Sequence, residues 1–166
     1  MLDVDNTGNK MRAKKSNDEL KRVSEHLCYE IWMLNQTAKI GSPDNPIINN
    51  CFIESFGIHA RCVCNFLFNT SGRKNYVLAI DFFDRPGEWR QYIKQKRSVL
   101  NMINRRVSEE LVHLTYTRTR IKPEEKEWKR ARILRKVNAL FKDFLERVPR
   151  ERLCDSLTLL ERKNLK

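Results

Sequence analysis

Behind residue 15, Leu20, Val23, Leu27, Ile31, Leu34 and Ala38 recur every three or four positions, with mostly polar residues between them. That spacing predicts an amphipathic helix with one buried stripe. Ser16 and Glu19 form the S-x-x-E capping box that starts it, and Gly41 marks its end. Cys28, Tyr29 and Trp32 widen its apolar surface. The next run, Pro46 to Thr70, has a different pattern. Asn45 supplies an N-cap, Pro46 a first helical position and Ser71-Gly72 a stop. Within it Phe52, Ile53, Phe56, Ile58, Val63, Phe66 and Leu67 leave almost no side polar. A helix apolar all round belongs in a core, so this segment is expected to be the central helix.

Polar residues nevertheless interrupt that helix in order. Glu54, Ile58, Arg61 and Asn65 follow at spacings of four, three and four, which sets three polar groups on one face, with His59 beside it. Charge is costly to bury unless it is paired. These groups therefore either satisfy one another and their neighbours as a polar network in the core, or they line a site.

The remaining pattern is less regular. Ser71 to Asn75 is a polar loop, and Tyr76 to Ile80 could be a short strand but has no partner strand. An irregular segment is expected there, with Phe82 and Phe83 plugging one end of a bundle and Arg85-Pro86-Gly87 closing it. A third helical region runs from about Glu88 to Leu114, with Leu100, Ile103, Val107, Leu111 and Leu114 as its stripe. Its first part, Gln91 to Ser98, is polar and could be a short helix of its own. Thr115 to Lys122 reads as a connection. Pro123 then opens another helix, with Glu124 and Glu125 in its first turn where the helix dipole favours acids. Ile133, Val137, Leu140, Phe141 and Phe144 form its buried face, Trp128 adds to it, and Pro149 ends it. Leu153, Leu157 and Leu160 suggest a short last helix. The expected architecture is an all-α bundle of four main helices plus short ones, spanning residues 16–166 as one domain. A flexible basic arm, 1–15, precedes it.

Composition changes this picture in two ways. No run of 18 apolar residues and no apolar leader is present, and the five cysteines are odd in number, so a reducing cytoplasm and no membrane span are expected. The formal net charge is +12, and it is concentrated. Between Arg85 and Lys136 sixteen Lys or Arg stand against six Asp or Glu, a surplus of ten. A basic surface of that density suits RNA or another polyanion, through steering and counterion release. Its bland alternative is a solvated face.

Few motifs carry chemistry. Cys62-x-Cys64 resembles ligand spacing, but in a helix those side chains point about 200° apart, so no metal is expected. There is no Gly-rich phosphate loop and no G-x-S-x-G elbow, and no cofactor is implied. Arg106 and His113 stand seven residues apart, two α-helical turns, and so would share a face. A histidine suits proton transfer and an arginine suits a phosphate. The plainer alternative pairs Arg105 with Glu109 and Arg106 with Glu110 as i,i+4 ion pairs, and lets His113 cap carbonyls at a helix end.

Two resemblances follow from these residues. Glu54-Ser55-Phe56, His59-Ala60-Arg61, Asp81-Phe82-Phe83, Asn104, His113-Leu114-Thr115-Tyr116, Arg118 and Trp128 together resemble a family of small uncharacterised bacterial all-helical proteins, over roughly residues 48 to 148. That family brings no activity with it. More loosely, the chain resembles HEPN domains, helical bundles of prokaryotic defence and toxin systems. Their ribonuclease members carry an Arg and a His a short interval apart, late in a helix, and dimerise so that two such motifs face each other. They cleave RNA without metal through the 2′-hydroxyl. The resemblance implies Arg106 as phosphate clamp and His113 as acid/base. The chain departs from the pattern at Val107, where a polar residue usually follows the Arg.

Three expectations result. The first is a helical RNA-interacting domain, with metal-independent endoribonuclease activity as its catalytic form. The second is a non-catalytic homodimeric interaction module, motivated by apolar helix faces that include Trp32, Phe82, Phe83 and Trp128. The third is a pocket for a small anionic ligand, built from Glu54, His59, Arg61, Tyr116 and Arg118.

Overall fold

Residues 13–42, 44–73 and 75–157 are described by a computed structural model. Among them the chain is helix and connection, without a strand, and the all-α expectation holds. Residues 1–12 of the expected arm and Leu160 of the expected last helix lie outside the described residues, while 155–157 form a helical turn where that helix is expected.

Helix α1 spans Asn17–Lys39 and starts as its capping residues dictate, with Ser16 Oγ accepting from the Glu19 amide at 3.1 Å. Lys15 reaches the Glu19 carboxylate at 2.6 Å and holds that carboxyl below its usual range. Leu20, Leu27, Ile31 and Leu34 are buried, whereas Tyr29 and Trp32 face outward. Helix α2 spans Pro46–Phe68, capped by Asn45, whose side chain accepts from the Ile48 amide. It is central as expected, packing against α1 and against several later elements. Its inner side, Phe56, Ala60, Val63 and Leu67, is fully enclosed.

The expectation that α2 is buried all round needs correction. Ile47 is 76% exposed and Ile58 56%, and Glu54 is exposed as well. Glu54 and Arg61 are therefore not charges in a core. Arg61 is half-buried, and Asn65 turns toward Asn104, whose side-chain amide donates to Asn65 Oδ1 at 3.3 Å. By length and mean hydropathy (1.2) α2 could cross a membrane, with 44% of that stretch buried inside the fold. Its polar residues are spread along the helix, so no unbroken apolar run announces that length.

After α2 the chain forms a short 3₁₀ turn, Ala79–Phe82, preceded by buried Leu78. Phe82 packs edge-on against Phe66 and Phe144, and Phe83 stacks on Trp89 at 5.4 Å, the aromatic plug that the sequence suggests. The Trp89 indole N–H donates to the Leu67 carbonyl at 2.8 Å and so satisfies the C-terminal end of α2. The third helical region is divided: α3 covers Pro86–Lys94, α4 covers Ser98–Arg106, and a π-helical turn follows over Val107–Val112. Leu100, Ile103 and Val107 are buried, but Leu114 is 93% exposed and does not continue the stripe.

The helix expected from Pro123 also begins late. Pro123–Glu125 is a single 3₁₀ turn, and α5 spans Arg130–Arg147. Ile133, Val137, Leu140, Phe141 and Phe144 face the core as their spacing predicts. Trp128 is buried too, but from the connection. Asn35 and Asn138 exchange amide hydrogen bonds between α1 and α5. Arg130, at the start of α5, donates to the Thr37 and Ile40 carbonyls and closes the C-terminal end of α1.

Candidate functional site

At the delayed start of α5 the free carbonyls of the connection are met by Arg106. Its guanidinium makes a two-pronged contact with Glu110, Nε to Oε1 at 2.7 Å and Nη2 to Oε2 at 2.8 Å. Nη1 donates to the Glu127 carbonyl and Nη2 to that of Glu125, both at 3.1 Å. The same cation lies 4.5 Å from the centre of the Trp128 ring. Carbonyls at 125 and 127 would serve a helix running through this stretch, and Arg106 takes them instead. Of the sequence alternatives for this residue, the i,i+4 partnership with Glu110 is the one present.

His113 sits differently. It follows the π turn as an extended residue (φ −110°, ψ 139°), and its amide donates to the Ser108 carbonyl five residues back at 2.9 Å. It is exposed, and its imidazole has no hydrogen bond among the described residues. The shared face inferred for Arg106 and His113 assumes α geometry throughout. A π turn takes one residue more to close, which slips the register between them.

Arg106 forms part of the wall of a cleft of about 570 Å³. One wall is α4 with the π turn, through Arg105, Arg106, Glu109 and Glu110. The connection contributes Thr117, Arg120, Glu124, Glu125 and Glu127, and the head of α5, with the residue before it, contributes Lys129, Arg132 and Lys136. Arg105, Arg120, Lys129, Arg132 and Lys136 are exposed, and among the described residues none of these five cations is in an ion pair. Glu110, by contrast, is neutralised by Arg106. Arg132 and Lys136 stand one turn apart on α5, and that spacing is the sequence signal that could have marked this wall.

Glu54, His59, Arg61, Tyr116 and Arg118 do not line this cleft. His59 Nδ1 lies 2.7 Å from Glu30 Oε2 on α1, with Tyr29 edge-on to its ring. Cys62, one turn further along α2, has its thiol pushed up to about 12 by partial burial and by the nearby Glu30 carboxylate. Such a thiol stays protonated at neutral pH and is a poor nucleophile. Arg118 Nε donates to the Glu109 carbonyl at 3.0 Å, and Thr115 Oγ1 to the same oxygen at 3.1 Å, which ties the connection to the π turn. Tyr116 is 87% exposed. Glu54 and Arg61 share the outer side of α2. Sequence reasoning misses Glu30, since nothing local links it to a histidine 29 positions later. Among the described residues, no three His, Cys, Asp or Glu side chains converge as a metal would require. No protein-family model matches the sequence, and no curated protein or solved structure does so.

Proposed function

We propose that this chain binds RNA, and that the phosphate backbone runs along the cleft between α4, the 115–129 connection and α5. The observation that carries this is the convergence of Arg105, Arg120, Lys129, Arg132 and Lys136, exposed and without ion-pair partners among the described residues, from three separate segments. Long, unpaired cations around an open groove suit a phosphate chain, because each phosphate they neutralise releases condensed counterions. Five glutamates share the lining, two on the α4 side and three on the connection. Lys129, Arg132 and Lys136 on the α5 side therefore form the stretch free of acids, and Arg105 and Arg120 reach toward it from the other two segments. Binding is better supported than cleavage. Arg106 already gives its donors to Glu110 and to backbone carbonyls, and His113 does not line the cleft.

The test is fluorescence anisotropy of an end-labelled RNA across a salt series. Wild type is expected to bind with a steep negative dependence on salt. Arg132→Glu with Lys136→Glu should weaken binding. It should also make the slope of log K against log salt shallower, by roughly one for each phosphate left without its cation. Absence of binding at low salt would end the proposal. Incubating the same RNA in EDTA with wild type and His113→Ala then separates binding from chemistry: cleavage present in wild type and abolished in the variant would restore the catalytic form.

A further inference from the structure

α2 has a second ordered face. Opposite its buried side, Ile47, Cys51, Glu54, Ile58 and Arg61 follow at spacings of four, three, four and three. That alternation keeps a line of residues along one side of a helix and is the seam pattern of paired helices. Ile47, Cys51, Glu54 and Ile58 are exposed, and Arg61 is half-buried. Beside the seam, Tyr29 of α1 is 52% exposed and packs on His59, which extends the apolar surface. The outer face of a helix in a small domain is normally polar; this one sets Ile47, Cys51 and Ile58 among Glu54, Arg61 and exposed Asn50, and Asn65, which continues the line, is turned to Asn104.

Those two charges decide what fits. They stand seven residues apart, about 10.5 Å along the axis at the ordinary helical rise, so they are poorly placed to pair with each other. Among the described residues neither has an ion-pair or hydrogen-bond partner. In a second copy of the helix laid antiparallel, each Glu54 meets the other copy's Arg61, and midway between them Ile58 packs near its own counterpart. A parallel arrangement would set glutamate against glutamate and arginine against arginine. The seam is therefore complementary to itself in one orientation only, which is the requirement of a two-fold interface.

We propose that two copies of this chain pair through α2, antiparallel, about a two-fold axis at Ile58, with two symmetric Glu54–Arg61 bridges across it. Apolar contact supplies the affinity, and the charges select the orientation, since exposed ion pairs contribute little on their own. None of the seam residues lines the cleft, so pairing leaves the cleft open and does not depend on RNA binding.

The experiment is sedimentation equilibrium of the full chain under reducing conditions, which removes any disulfide through exposed Cys51. Wild type is expected to be dimeric. Ile58→Glu should be monomeric with an unchanged far-ultraviolet circular dichroism spectrum, because residue 58 faces away from the core. Glu54→Arg and Arg61→Glu should each weaken the dimer by about tenfold or more, since a two-fold axis repeats every loss. The double exchange, Glu54→Arg with Arg61→Glu, should restore it. A monomeric wild type, a dimer indifferent to Ile58→Glu, or a double exchange no better than its single components would each overturn the proposal.

Discussion

Gly57 shows how much one missing side chain can organise. It sits in the interior of α2, where glycine costs about 1 kcal/mol relative to alanine. A Cβ there would lie 2.4 Å from Leu111 Cδ1, 3.5 Å from Val107 and 3.6 Å from Trp128. The gap in α2 is thus filled by the π turn and by the tryptophan of the connection. Leu111 is half-buried and its methyl can swing aside, so the conflict is of moderate size. In a Leu111→Ala background, Gly57→Ala should stabilise the protein by about 1 kcal/mol, the helix-propensity gain alone. In wild type the same change should yield at least roughly 1 kcal/mol less, and urea unfolding of the four-member cycle measures that coupling. A coupling of zero would mean that Leu111 does not hold position 57 to glycine. Nothing in the sequence marks Gly57 as special, because its reason lies fifty or more residues further along the chain.

Elements are legible where their causes are local. α1 and α2 begin at the Ser16 and Asn45 caps that the sequence displays, and the core faces of α1 and α5 follow their apolar spacing. The start of α5 is not legible, since the competitor for its carbonyls, Arg106, comes from about twenty residues earlier. The π turn is equally hidden: apolar spacing fixes a helix and says little about where one bond closes a residue late. Of the candidate cleft, the basic surplus can be counted in the sequence, but its three contributing segments cannot be assembled from it. Arg106 is the joint of this region. Arg106→Ala should lower stability by roughly 1–2 kcal/mol, as half-buried Glu110 loses its charged partner and the Glu125 and Glu127 carbonyls lose a donor. Amide exchange at Glu125 and Lys126 should accelerate, those N–H groups being bonded within the turn that Arg106 holds. Arg106→Lys should not rescue, because a point charge cannot grip Glu110 and two carbonyls together. Unchanged exchange in either variant would contradict this role.

At the scale of the molecule, Arg152 joins parts of the chain that are far apart in sequence. Its side chain is 8% exposed, and it donates to Asn17 Oδ1 at 3.0 Å, to the Phe82 carbonyl at 2.9 Å and to Asp84 at 2.5 Å. Close by, the Cys154 amide donates to Ser24 Oγ at 2.7 Å. One cation thus ties together the start of α1, the aromatic plug and the 3₁₀ turn Arg150–Arg152 that carries it. Arg152→Ala should cost roughly 3 kcal/mol, leaving three acceptors short of a donor. The hydrogen bond from Arg152 holds the Asp84 carboxyl below its usual range. A depressed acid contributes stability above its unfolded pKa and loses it as pH falls through the folded value. Thermal unfolding from neutral pH down to about pH 3 should therefore show wild type losing more stability on acidification than Asp84→Asn, with the difference developing below about pH 4. Equal acid sensitivity would mean that Asp84 contributes nothing through this bond.

The π turn at Val107–Val112 also has a meaning that can be counted in codons. It holds one residue more than an α-helix needs to close the same turn. A homologous chain one codon shorter there would continue in α geometry and bring its counterpart of His113 out in the same direction with one residue fewer. Two such sequences would align in space only if the alignment carried a gap inside the helix, where gaps are usually forbidden. An ungapped comparison carried through from α4 would set each residue of 113–118 against its neighbour in the other chain, about 100° away round the axis.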